Sequence, residues 1–310
     1  MGEQNVRLNK DETTYQAFMS ALLGEVQALE TLLDSGLIES GVQRIGAEQE
    51  MFLIDRAHKP ATKALEVLEA IGDERFTHEL GLFNLEANLS PRKLGGDCLS
   101  RLEAEAQDLY RRAREAANRF GCDIALVGIL PTLAKSNLGL DSMVPTARYH
   151  ALNDAICALR GKEFDFTING IDQLSMQHDN VMLEACNTSF QVHFQVSPEN
   201  FAKNYNIAQT ITAPLLAAAV NSPILLGKRL WHETRIAVFE YSIDTRSNVF
   251  QERGLKPRVH FGDRWLEESV TEIFKEDIAR FRIVLTTDTE EDPQGMIERG
   301  IMPSLNACLL

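Results

Sequence analysis

Three short stretches of the chain alternate with a period of two, and that period commits each of them to a strand with two unlike faces. In "RIGAEQEMFLID", residues 44–55, Glu48 and Glu50 share one face while Ala47 and Met51 share the other. In "FNLEANLSP", residues 83–91, Asn84, Glu86 and Asn88 oppose Phe83, Leu85, Ala87 and Leu89. In "SFQVHFQV", residues 189–196, Gln191, His193 and Gln195 oppose Phe190, Val192, Phe194 and Val196. Each stretch therefore has a fully apolar or mixed side and a side of carboxylates, amides or imidazole.

Between these strands the period changes to that of helices. Phe18, Leu22, Val26, Leu29 and Leu33 predict a helix over 13–35 that stops at Gly36. "ATKALEVLEAIG" predicts a short helix ending at Gly72. Leu102, Ala106, Leu109, Ala113 and Ala117 share one face of a long helix over 98–120. "DIALVGI" and "RIAVFEYSI" read as strands, "ARYHALNDAICALRG" and 265–283 as helices, and Ser197-Pro198 as a helix start. No repeat and no linker-like shift in composition interrupts residues 1–310. The expectation is one α+β domain, with helices over one face of a mostly antiparallel sheet.

Composition narrows the partners. The net charge of −14 opposes binding to phosphate backbones, so nucleic acid is not an expected partner. Five cysteines, none in a C-x-x-C pair, argue against a disulfide framework or zinc knuckle and for a reducing, cytoplasmic setting. The polar N-terminus lacks the apolar core of a signal peptide. The longest apolar stretch, 207–227, is interrupted by Gln209, Pro214, Asn221 and Pro223, and is expected to be a buried helix followed by a turn rather than a membrane span.

An antiparallel sheet often has one wet face, and alternation alone requires nothing more. The residue types here point further. These faces carry no lysine, yet they carry carboxylates, which ligate hard cations such as Mg²⁺, and an imidazole, which also suits Mn²⁺. Two glutamates two residues apart repel each other, and a divalent cation relieves the repulsion. Neither G-x-x-x-x-G-K-[ST] nor G-x-G-x-x-G occurs. Nucleotide phosphates, if bound, have to be held by metal and by Arg or Lys side chains.

"GAEQEMFLID", "HELGLFNLEANLSP", "GILPT", "TSFQVHFQV" and "NSPILLGKRLWHETR" occur in an order and spacing that resembles the bacterial glutamate–cysteine ligases of the carboxylate–amine ligase type, in the glutamine synthetase-like superfamily. The likeness spans roughly residues 40–250. It implies a curved, funnel-shaped antiparallel sheet whose inner face binds Mg²⁺ or Mn²⁺, with helices on its outer face. By position it implies that Glu50, Glu79 and Glu86 ligate one ion and that Glu48 and His193 ligate a second. The alternatives are a surface carboxylate at a turn for Glu79 and a core histidine for His193. Arg235, and Arg246 as a second candidate, resemble the catalytic arginine that such a site turns towards substrate carboxylate or phosphate; a surface ion pair with Glu233 or Glu240 is the alternative for each. Arg148 and Tyr149 fall in a matching stretch and receive no role from it. The chemistry implied is phosphorylation of the glutamate side-chain carboxylate by ATP, followed by attack of an amine, with cysteine as the amine usual in the family.

The resemblance also implies inner-face strands beyond "SLNACLL", so the expectation is a piece of a longer protein, or a domain whose free sheet edge favours contacts between copies. Two other readings stay open: a non-catalytic or regulatory ligase-like domain, and a metal-dependent hydrolase built on the same carboxylates.

Overall fold

The structure is a computed structural model that describes residues 6–7, 12–161, 164–247, 250–251, 253–287 and 292–306. Residues 307–310, including Cys308, lie outside the described residues. Its elements are β1 (Val6–Arg7), α1 (Glu12–Ser35), β2 (Arg44–Ile54), α2 (Ala64–Ile71), β3 (Phe76–His78), β4 (Asn84–Lys93), α3 (Cys98–Arg119), β5 (Asp123–Ala125), α4 (Ala147–Arg160), β6 (Phe164–Asn169), β7 (Gln173–His178), β8 (Phe190–Phe194), α5 (Phe201–Ala218), β9 (Ile224–Leu225), β10 (Lys228–Arg229), α6 (Arg235–Ser242), α7 (Thr271–Arg280), β11 (Thr286–Thr287) and α8 (Pro293–Glu298). The fold is α+β.

The central sheet is antiparallel, in the order β3-β4-β2-β5, and β8 pairs with the first half of β2 on the edge whose second half pairs with β5. The alternation read from sequence sets its two faces. Ile45, Ala47, Met51 and Leu53 of β2 join Leu85 and Ala87 of β4 in a core covered by α2 and α3. Helix α3 contributes the stripe Leu102, Leu109, Ala113 and Ala117, all buried. Gly72 ends α2 in the left-handed region, φ 59°, where its N–H closes on the Leu68 carbonyl. The opposite face of β2 is apolar only at its far end. There Phe52 and Ile54 enter a second core with Phe83, Ile129, Met182 and Val238, and the Phe52 and Phe83 rings stack. Glu48 and Glu50 occupy the near end of that face.

Two sequence expectations are corrected. "RIAVFEYSI" is not a strand: residues 235–242 form α6, whose buried Ala237, Val238 and Ser242 follow helical spacing. The end of α6 is capped in trans by the buried Arg160, the last residue of α4, which donates to the carbonyls of Tyr241, Ser242 and Asp244. The apolar stretch at 207–227 is indeed helix for its first part, but it is not buried. Ile207, Ile211 and Leu215 are 47%, 51% and 61% exposed, because α5 packs mainly through its first turn at Ala202. No described helix is long and apolar enough to cross a membrane.

Candidate metal centre

Pairing register brings the acidic residues together. Glu50 on β2 stands directly opposite Glu86 on β4, and Glu48 stands opposite Asn88. Like charges directly opposite in a sheet repel, so Glu50 and Glu86 destabilise the strand pair that carries them unless something offsets their charge. Strand β3 pairs with β4 through Thr77 and Glu86, and the chain leaving β3 delivers Glu79 to the same place. Ligand oxygens of Glu50, Glu79 and Glu86 all lie within 4.8 Å of one another. Glu86 is buried, and the other two are partly buried.

The neighbours hold these carboxylates in position. The Ser189 N–H donates to Glu50 Oε2 at 2.6 Å, and Gln191 Nε2 donates to Glu50 Oε1 at 3.1 Å. Asn88 Nδ2 donates to Glu86 Oε1 at 2.7 Å. Burial raises the Glu50 pKa against the pull of the Ser189 and Gln191 hydrogen bonds, and the charge of Glu86 adds to the rise. Burial raises Glu79 most, helped by a hydrogen bond with Glu86 and by the charges of Glu184, Glu86 and Glu50.

Two residues at this site had no role in the sequence reading. Glu184 sits in a 3₁₀ turn, Val181–Cys186, whose other residues are buried; burial and the charge of Glu50 push its carboxyl up to about 7. Its sequence signal is one charge inside the apolar run "VMLEAC". Tyr149, on α4, has its hydroxyl 3.4 Å from Nδ1 of His78, the residue before Glu79. Burial and the charges of Glu79 and Glu184 raise its phenol far above the usual range.

The other residues expected from sequence lie in different settings. Glu48 and His193 meet each other, with Oε1 and Nε2 3.5 Å apart, and form a separate pair along the same sheet face. Alternate residues of one strand are about 7 Å apart, so Glu48 flanks the three-carboxylate group rather than entering it. Arg235, at the start of α6, pairs with the buried Glu233 and donates through Nη1 to the Thr188 carbonyl at 3.3 Å, one residue before the Ser189 N–H that holds Glu50. Arg246 is committed on all sides: Nε and Nη2 to Asp244, Nη1 to the Leu255 carbonyl at 2.7 Å, with Glu240 3.7 Å away.

No protein of curated function matches the chain in sequence. Residues 44–264, more than half the chain and the part that builds the sheet and its acidic face, match glutamate-cysteine ligase family 2 (GCS2), and the chain belongs to that family.

Proposed function

We propose that the protein is an ATP- and divalent-metal-dependent ligase that joins the side-chain carboxylate of glutamate to an amine, such as cysteine, through an acyl phosphate. The observation that carries this reading is the convergence of Glu50, Glu79 and Glu86 within 4.8 Å on the sheet of a glutamate-cysteine ligase family member. The donor set fits Mg²⁺ or Mn²⁺: three carboxylates, two of them pinned by hydrogen bonds that fix oxygen position without neutralising charge. A cation held there supplies charge cancellation between nucleotide phosphates and the acceptor carboxylate, two anions that otherwise repel.

The chain's own residues then have distinct tasks. Ser189, Gln191 and Asn88 orient the ligand carboxylates. Glu48 and His193 are placed to hold a second cation. Of the two arginines, Arg235 is the one tied to the Thr188–Ser189 segment, and its Nη2 makes no hydrogen bond among the described residues, which leaves that nitrogen for substrate carboxylate or transferring phosphate. Arg246 supports the site by bracing the segment that follows α6. No protein nucleophile is required. Of the described cysteines, Cys98, Cys122 and Cys186 are buried and Cys157 is partly buried, and the reaction proposed here assigns none of them a step.

The test is ADP release with ATP, Mg²⁺, glutamate and a panel of amines. Release that needs both glutamate and one amine is expected. Glu86→Gln is expected to abolish it, a larger loss than the ~10–100-fold in metal affinity typical of losing only an orienting partner. Metal-dependent turnover without ATP would instead favour a hydrolase. An equally active Glu86→Gln variant would remove the carboxylate centre from the mechanism.

A further inference from the structure

Away from the acidic face, a cavity of about 440 Å³ opens between α1, α4 and α7. Its size is within the range of small-ligand sites, and none of Glu50, Glu79 and Glu86 lines it. Its walls are chiefly apolar, with Phe18 and Leu22 from α1, Leu152 and Ile156 from α4, and Phe274 and Ile278 from α7. Four charged residues share this lining. Arg148 comes from the first turn of α4, Asp277 from α7, and Arg258 and Arg282 from the segments before and after α7. Three guanidiniums against one carboxylate make a locally positive lining in a chain whose net charge is −14.

Arg258 is the group whose bonding is incomplete. Its guanidinium lies over the Phe281 ring, 5.1 Å from the centroid, and its Nη2 donates to the Arg282 carbonyl. Its Nε is buried and has no hydrogen-bond partner. Burial lowers the Arg258 pKa and the charge of Asp277 opposes that fall, yet among the described residues Arg258 forms no ion pair. Burial likewise raises the Asp277 carboxyl, against the pull of His260, Arg258 and Arg280. A buried guanidinium with an unmet N–H and no counterion in contact is costly, and an anion reaching it from the cavity relieves both. The apolar walls set the rest of the ligand. A bare inorganic anion leaves them unfilled, and a pure hydrocarbon leaves the guanidinium unmet. The planar fork of arginine matches a carboxylate.

We infer that the cavity between α1, α4 and α7 binds a small amphipathic carboxylate, its head on Arg258 and its hydrocarbon body among Phe18, Leu22, Leu152 and Ile156. Such a site is separate from the acidic group on the sheet and holds whether or not that group binds metal.

The test is calorimetric titration of the full chain at neutral pH with octanoate, with octanol, which has the body without the charge, and with butyrate, which has the charge without the body. Hydrogen exchange with and without octanoate locates the site. The parent is expected to bind octanoate about tenfold or more tightly than either control, and octanoate is expected to slow exchange in α1 and α7. Arg258→Gln should bring octanoate down to the octanol level. Asp277→Asn removes a like charge from the wall, so it should strengthen octanoate binding severalfold and leave octanol unchanged. If Arg258→Gln does not fold, the octanoate–octanol contrast in the parent and the gain in Asp277→Asn decide the matter. Octanol bound as tightly as octanoate, protection confined to other elements, or an Arg258→Gln variant that binds octanoate as the parent does overturns the assignment. A parent that binds no octanoate overturns it outright.

Discussion

Asn88 and Arg235 show how single side chains set the quality of this site. Asn88 reaches Glu86 Oε1 at 2.7 Å and, more weakly, the Arg75 carbonyl at 3.4 Å, so it anchors that carboxylate to the backbone that leads into β3. Asn88→Ala leaves the three carboxylates of the proposed cation site in place but frees Glu86 to rotate. Mn²⁺ affinity is expected to fall ~10–100-fold with little change in fold, as calorimetry would register. Arg235 has two tasks that a single substitution confounds. It neutralises Glu233, which is 8% exposed and also accepts from the Asn221 N–H at 2.6 Å. Arg235→Met strands that carboxylate and is expected to cost on the order of 2 kcal/mol in urea unfolding. The double variant Glu233→Gln/Arg235→Met removes the stranded charge and should recover most of the stability. ADP release should stay low in the double variant if Arg235 also acts on the transferring phosphate. Recovery of release along with stability would assign Arg235 to structure alone.

Elements are held in register by contacts of two kinds, one steric and one ionic. At the β6–β7 turn, Gly170 lies so close to the β10 side of the molecule that an added Cβ would stand 2.5 Å from the Leu230 backbone. Backbone cannot move aside as a side chain tip can. Gly170→Ala is thus expected to lower the urea midpoint by an amount equal to about 1–3 kcal/mol, with an unchanged m-value. On the outer face an ionic network ties α3 to β3 and β4: Arg75 to Asp73 at 2.7 Å and to Glu105 at 3.2 Å, Arg92 to Glu105 at 2.6 Å, and Arg112 to Asp73. The Arg75 hydrogen bonds hold the Asp73 carboxyl far below the usual range. Glu105 is lowered too, because Ser90 and Arg92 outweigh the opposing effect of its burial. Depressed native pKa values contribute stability that is present above the unfolded carboxylate range, about 4, and is lost as pH falls below it. Unfolding temperature measured from pH 7 down to pH 3 should therefore drop in the parent, and Asp73→Asn should start lower at pH 7 and fall less steeply. The alternating strands β2 and β4 and the helices α1, α2, α3 and α4 were legible in sequence because their periods report which face is buried; β8 is a strand as its alternation predicts, but Phe190, Val192 and Phe194 on its apolar side are exposed rather than buried. Helix α6 was not: Ile236, Val238, Phe239 and Tyr241 are strand-favouring residue types, and the bonds that close the helix end come from Arg160, distant in the chain. The β6–β7 hairpin turns through Gly170, Ile171 and Asp172 between the paired Asn169 and Gln173, and the Leu230 contact that demands the glycine is tertiary. At the site, Glu50 and Glu86 followed from strand faces, whereas Glu79, beyond the end of β3, required a family resemblance, and Glu184, in a 3₁₀ turn with no period, left only a lone charge in an apolar run.

Across the whole molecule the cores are unequal, and that inequality predicts an order of opening. The central sheet lies between two large clusters, one under α2 and α3 and the other around Phe52, Phe83 and Met182. Helix α1 belongs to neither. It buries Phe18 and Leu22 in a small cluster with Met19, Ile278 and Ile283, and it packs against both α7 and α8, with Val26, Ala28 and Leu32 also buried and Thr31 bonded to Gln294 of α8. Strand β1 pairs with β11 by two residue pairs and packs against α4, outside the central sheet. A layer with so few buried apolar contacts opens at lower free energy than the sheet it covers. Hydrogen exchange is therefore expected to be slowest in β2 and β4 and distinctly faster in α1 and α7, without loss of the proposed cation centre, since Glu50, Glu79 and Glu86 all lie in or next to the central sheet. Phe18→Ala sharpens the test. Phe18 is 4% exposed, and truncating a buried phenylalanine costs about 3–5 kcal/mol where the site cannot collapse. If α1 and α7 form a separate opening unit, the loss appears as faster exchange confined to residues 13–35 and 271–280, while β2 and β4 keep parental protection and Mn²⁺ affinity is unchanged. Uniform acceleration through β2 and β4 would show instead that the layer and the sheet unfold as one, and that the small cluster at Phe18 is as integral to the fold as the two large ones.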